Sequence, residues 1–253
     1  MEGGKVFNLR ELKFLPCLPL RRTLSFAHIE LLNAIKDFHS IPDPVKDLDV
    51  LETGVFLVLS KDTPYEKAVE SVKRIKENTV DWNEARVSSL YEFMEWLKPA
   101  GPENLEEKCN RVKQFLVSVY REINEMDLDW LSDTQPEERG KILSKLDMLE
   151  PWMIYYLQCA AEDFNCFIFQ SDLNRVLHRT GILGKESTLK KASQAAKEMF
   201  EGMKNKFLWL CSLVKHGTEV CISSLRVSAC RKCPIGDACP TSRASKSRDE
   251  KKD

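Results

Sequence analysis

The sequence predicts an all-α fold. Apolar residues recur at three- and four-residue spacing along most of the chain, prolines and small polar residues punctuate those stretches where helices begin and end, and alternating strand patterns with hairpin turns are nearly absent.

The helices are expected in the following order. Residues 25–38 place Phe26, Ile29, Leu31, Leu32 and Ile35 on one broad apolar face, which the proline-rich stretch 41–45 closes. Residues 53–59 form a short apolar run, and 61–64 break it. Pro64 suits a helix start, after which Tyr65, Ala68, Val69, Val72 and Ile75 keep helical spacing. Ser89 can cap a helix over 89–97, and the prolines within 99–102 stop it. A longer helix over 104–124 carries Cys109, Val112, Phe115, Leu116, Val119 and Ile123. Residues 136–146, 151–161, 172–179 and 188–214 are expected to add further helices. The β-rich stretches 55–59 and 167–169 are short and lack hairpin partners.

Apolar residues make up 43% of the chain and charged residues 30%, which fits a folded, soluble protein. A net charge of −1 excludes nucleic-acid binding through bulk positive charge, because counterion release scales with the phosphates neutralised. The charge is unevenly spread, with a basic excess of eight from residue 172 onward and an acidic excess of similar size over 101–163. Any nucleic-acid surface is therefore local. No apolar run approaches the roughly 20 residues a bilayer requires, and the N-terminus lacks the apolar core of a secretory signal, so a soluble intracellular protein without a membrane partner is expected.

There are nine cysteines, and four of them, Cys221, Cys230, Cys233 and Cys239, fall within 19 residues. An odd count crowded in this way suits metal ligation better than a disulfide framework. Cys17, Cys109, Cys159, Cys166 and Cys211 lie in apolar or helical contexts and read as small buried hydrophobes. The ligand spacing is eight, two and five residues, directly after a helix. Four thiolates can hold either a tetrahedral zinc or a 4Fe-4S cluster, and spacing alone leaves both open.

The run from His216 and Gly217 through Cys221, Cys230, Cys233 and Cys239 resembles the cluster loop that closes endonuclease III and its adenine glycosylase relatives, in the HhH-GPD superfamily of DNA glycosylases. That family has six residues between its first two cysteines, and this chain has eight. The resemblance spans roughly residues 29–240 and implies a two-lobed helical fold with a 4Fe-4S cluster. It also implies a DNA groove between the lobes and basic residues presented to phosphate by the cluster loop, here Arg226, Arg231 and Lys232. On this reading 1–62 are N-terminal helices joining the cluster lobe, 63–163 a middle lobe with a degenerate helix-hairpin-helix, 164–240 the cluster lobe, and 241–253 a disordered charged tail.

Residues 81–88 resemble a segment of some endonuclease III-like proteins, within which Asn83 and Arg86 would fit DNA or backbone contacts; a polar helix cap is the other reading of the same residues. The family's hairpin turn reads Leu-Pro-Gly-Val-Gly, followed by the lysine of its lyase members. The matching residues here run from Leu146 to Trp152, without either glycine, with carboxylates at Asp147 and Glu150 and with Trp152 in the lysine's place. An indole forms no imine, so lyase chemistry by the family's route is not expected; Trp152 instead resembles the alkyladenine glycosylase branch and could line a base pocket. The family's catalytic Asp falls on Gln170 in the ungapped register and on Asp172 in a register shifted by two. Three functions follow: a weak duplex-DNA-binding repair protein with degenerate catalysis, a monofunctional glycosylase using Asp172, or a cluster-bearing interaction protein engaging a partner through its acidic middle lobe. A monomer is expected.

Overall fold

The computed structural model describes residues 24–184, 188–204, 206–224 and 227–249. Among them every regular element is helical, as expected, including 55–59.

The first helix, α1 (Phe26–His39), starts on Ser25, whose hydroxyl accepts from the His28 amide, and ends on Ser40 in the left-handed region. α2 (Val50–Ser60) is buried along ten of its eleven residues. A helix that is apolar all round carries no 3.6-residue signal, which is why its sequence read only as a short apolar run. Lys108, itself buried, reaches back to donate to Leu59 O at 3.2 Å and so satisfies one of the free carbonyls at the end of α2.

α3 (Tyr65–Asn78) follows Pro64, and α4 (Trp82–Val87) is capped by the Asp81 carboxylate. α5 (Leu90–Leu97) opens with a reciprocal Ser89–Glu92 capping box. α6 (Leu105–Ile123) lies between Asn104 and Asn124, both left-handed, a conformation that asparagine tolerates better than most residues. α7 (Pro136–Leu143) and α8 (Pro151–Ala160) each place proline in the first turn, where its missing amide hydrogen costs nothing.

After α9 (Ser171–Arg179) the single helix expected over 188–214 is two, α10 (Leu189–Phe200) and α11 (Lys206–Glu219). Gly202, at φ +76°, turns the chain between them. α12 (Val227–Lys232) lies within the cysteine loop. The last helix, α13 (Pro240–Asp249), occupies most of the tail expected to be disordered. Composition misled there because the helix is anchored locally: Thr241 Oγ1 donates to Arg179 O at 2.7 Å and the Arg243 amide to Cys239 O at 3.1 Å.

α2 packs against α3, α6 and α8, with α4 and α5 laid on α6. A second group forms around α11, which contacts α1, α8 and α9, so α8 bridges the two. The boundary expected at residue 62 put α2 with the cluster lobe; its neighbours are α3, α6 and α8 instead. Gly54 is where α2 meets α6, since a Cβ there would strike the Phe115 ring. One further expectation changes: Cys159 and Cys166 are disulfide-bonded, with Cα atoms 5.3 Å apart, instead of acting as separate buried thiols. The turn after α8 brings them together, with Asp163 and Phe164 left-handed and the Phe164 amide donating back to Cys159 O. Among the described residues no helix is long and apolar enough to cross a membrane.

Candidate metal centre and the adjoining pocket

The cysteine loop is built on α9 and α11. The last carbonyls of a helix have no partner within it. At the end of α11 two arginines one turn apart on α9 supply partners. Arg175 donates to Gly217 O at 2.7 Å and Cys221 O at 2.9 Å, and Arg179 to Ile222 O at 2.6 Å and Ser223 O at 2.9 Å. Arg179 Nη1 also stands 3.4 Å from Cys221 Sγ. Their positive charges meet the negative end of the α11 dipole. Gly217 lets the two helices touch, because a Cβ there would lie 2.9 Å from Asp172 Cβ.

Cys221, Cys230, Cys233 and Cys239 line a single cavity whose other walls include Val220, Ile222, Ile235, Arg179 and His216. Among the described residues no carboxylate lines it. Gly236 closes the loop where a side chain would run into the Cys230 carbonyl oxygen. Burial, together with the other three sulfurs, pushes the Cys233 thiol up to about 11. The donor set is therefore all soft sulfur in a largely apolar wall with an arginine at one edge, which fits an iron–sulfur cluster or zinc. Among the described residues no three His, Cys, Asp or Glu side chains converge to grip one metal ion.

Behind the sulfurs runs a chain of imidazoles. His216 Nε2 is 3.5 Å from Cys233 Sγ, and its Nδ1 is 3.0 Å from His39 Nε2 on α1. His39 Nδ1 lies 3.5 Å from Glu219. Burial first, then His216 and Lys215, lower the His39 pKa to about 3. His39 is thus neutral in the fold, while in the unfolded chain it takes up its proton near pH 6.5. A group whose folded pKa is depressed in this way gives stability that is complete above about pH 6.5 and lost as pH falls toward about 3, by up to about 1.4 kcal/mol per pH unit. Thermal midpoints measured between about pH 6 and pH 4 should therefore fall less steeply for His39→Gln than for the wild type. Equal slopes would contradict this account.

Glu219 also borders a second cavity, of about 410 Å³, lined by His39, Lys61, Glu150, Trp152 and Lys215 among others. It lies where α8 begins against α11 and the end of α2. Glu150 accepts from Lys61 Nζ at 2.6 Å and from the Trp152 indole at 2.8 Å, and Lys215 Nζ rests 4.7 Å from the centre of the Trp152 ring. Burial works against the Glu150 charge, but Lys61, Trp152 and Lys215 outweigh it and hold the carboxyl below its usual range.

The residues singled out in the sequence fall as follows. The four cysteines line one cavity without converging on a single metal position, and Trp152 lines the second cavity. Asp172 is ion-paired to Arg175 at 2.5 Å, and Gln170 forms the N-terminal boundary of α9 without a side-chain cap bond. Asp172 packs over Gly217, whereas Lys215, two residues earlier on α11, points about 200° away, so Asp172 and Trp152 flank different sides of that helix. Arg231 and Lys232 are exposed on α12, and Arg226 lies outside the described residues. Asn83 Oδ1 accepts from Arg86 at 2.8 Å and 3.1 Å, and the guanidinium covers the Tyr120 ring at 4.1 Å, so α4 uses this pair to seat itself on α6. Asp147 is paired with Arg121 at 3.2 Å and Glu150 with Lys61, so both carboxylates of the segment between α7 and α8 are neutralised by residues from other elements. Sequence reading missed the joint role of Arg175 and Arg179, for which an Arg-x3-Arg spacing facing a helix end was the available signal, and it missed Lys61 and Lys215, which carried none.

No family model and no curated protein matches the chain. Among solved structures it is similar to endonuclease III trapped as a covalent DNA intermediate, at 13% identity and TM-score 0.45, over 88% of this chain and 99% of that one. It is also similar to a non-covalent endonuclease III–DNA complex, at 14% identity and TM-score 0.44 over 88% and 99%, and to a thermostable thymine-DNA glycosylase, at 12% identity and TM-score 0.43 over 86% and 97%.

Proposed function

We propose that the chain is a DNA-binding protein of the base-excision-repair glycosylase type, carrying a 4Fe-4S cluster on Cys221, Cys230, Cys233 and Cys239. The observation that carries this reading is that these four cysteines line one cavity on α9 and α11 that, among the described residues, no carboxylate lines. When bound, the cluster would staple the C-terminal segment to the end of α11. The remaining work belongs to the chain's own residues. Arg179 faces the Cys221 sulfur, and His216 faces that of Cys233. Arg231 and Lys232, exposed beside two ligands, would meet phosphate. Asp172, held by Arg175, serves this reading as a positioning residue for that arginine and not as a catalytic acid.

Anaerobic purification followed by metal analysis and visible absorption tests the cluster. About four irons per chain with broad visible absorption is the expected result, and zinc alone would reject it. Duplex binding measured across salt concentrations tests the second half. Replacing both Arg231 and Lys232 by Ala should flatten the log–log salt dependence by about two, one for each phosphate no longer neutralised. A cluster with no DNA affinity would turn the reading toward an interaction protein.

A further inference from the structure

We infer that the Cys159–Cys166 disulfide is a thiol-exchange site, reduced by a small dithiol through the cavity beside the turn after α8, and that its redox state sets how firmly this turn is held to α11. Among the described residues six other cysteines are free thiols, and four of them line the metal cavity. Thiols stay free where a reductant keeps them so, and the same reductant acts on this disulfide. The two sulfurs are unequally placed. Cys159 is fully buried, whereas Cys166 is 6% exposed and lines an open cavity of about 1150 Å³. An incoming thiolate therefore meets the Cys166 sulfur, and Cys159 is the leaving group. Lysines and carboxylates both border this cavity and Phe164, Phe167 and Phe207 line it, so it admits a small neutral dithiol.

The turn that the disulfide closes has a conformation its residues disfavour. Asp163 and Phe164 are consecutive left-handed residues, at φ 49° and 58°, and neither is a glycine. Such residues persist only where their surroundings impose them. Here the cross-link does so, together with the Phe164 amide bonded to Cys159 O at 2.7 Å. Held in this way, the turn grips the start of α11. The Phe164 ring packs edge-on against Tyr156 and Phe207, with ring centres 5.5 and 4.8 Å apart, and Lys206 Nζ donates to Asn165 Oδ1 at 3.0 Å. Opening the S–S bond removes the covalent constraint and frees Phe164 to leave that cluster.

The exchange balances with the dithiol as reductant. Its thiolate attacks the Cys166 sulfur, the S–S bond breaks, and the Cys159 sulfur leaves with the electron pair and takes up a proton. The second thiol of the reductant, once deprotonated, attacks its own sulfur in the mixed disulfide and releases Cys166, which is protonated in turn. Two electrons and two protons have then passed to the protein, and the reductant has become a cyclic disulfide.

The test equilibrates the native full chain, without oxygen, in mixtures of reduced and oxidised dithiothreitol. Alkylation and peptide mapping read the state of Cys159 and Cys166, and brief chymotrypsin treatment reads the turn. Reversible interconversion without loss of helical circular dichroism is expected, with cleavage after Phe164 about tenfold faster in the reduced form. A disulfide that never forms in the oxidised buffer, or that is reduced only in denaturant, overturns the inference. So does reversible exchange that leaves cleavage after Phe164 unchanged. The point of attack is checked with glutathione disulfide: Cys159→Ser should form a mixed disulfide at Cys166 about tenfold faster than Cys166→Ser forms one at Cys159. Equal rates would overturn that assignment. The wild-type measurement needs neither variant, so it decides the inference even where a variant fails to fold.

Discussion

Replacing Arg139 by methionine is expected to destabilise the protein by about 3 kcal/mol, lowering its thermal midpoint by about 6–12 °C. Arg139 on α7 is 1% exposed, yet its guanidinium donates to Gln158 O at 2.7 Å and Thr134 O at 2.8 Å and pairs with Glu162 at 2.9 Å. These partners come from α8, from the turn that follows it and from the segment that precedes α7. Methionine fills similar volume but leaves two carbonyls without a donor. Glu162 is 38% exposed and can rehydrate, so the cost centres on the carbonyls and stays below the largest costs of broken buried ion pairs. Arg139→Lys should recover little, because one ammonium cannot span three partners in a planar fork. A midpoint shift under about 3 °C for Arg139→Met would show that the network is not holding α7 to α8.

Gly236→Ala should abolish binding of the cluster proposed above while leaving the helical content of the rest of the chain intact. The added Cβ meets the Cys230 carbonyl oxygen and lies 3.3 Å from the Cys233 carbonyl oxygen, and both are backbone atoms that cannot swing aside as a side-chain end can. Relief requires moving the two residues that carry the sulfurs. Iron content near zero, with far-ultraviolet circular dichroism close to wild type, is the expected pair of measurements. Gly184→Ala is the matched control, since a Cβ there meets nothing within 4 Å. Full iron occupancy in Gly236→Ala would mean that the loop closes in another way around its metal.

The sequence made the helices legible where one face was apolar and the ends were chemically marked. Ser25, Pro64, Ser89, Asn104 and Pro151 all stand at or next to observed starts. It was least informative for α2, whose burial on all sides erases periodicity, and at Gly202, which breaks an apolar pattern continuing on both sides. The shared cavity of the four cysteines was legible because their spacing is local. The second cavity was not, because Lys61, Glu150 and Lys215 come from three distant stretches and none belongs to a spacing motif. Asp172 drew attention by its place before a helix, and only packing shows that Arg175 and Gly217 enclose it.

The contact between His39 and His216 joins residues 177 positions apart, and α1 packs chiefly on α11. During synthesis the first helix therefore leaves the ribosome long before its partner exists. At about 5–20 residues per second it must wait roughly 9–35 s with its apolar stripe uncovered. Most of the chain can assemble around α2 and α6 in that interval. The four-cysteine segment is made after α11, so any metal it takes up meets a chain in which α1 and α11 can already have paired, and loading would follow the closure of that long-range contact.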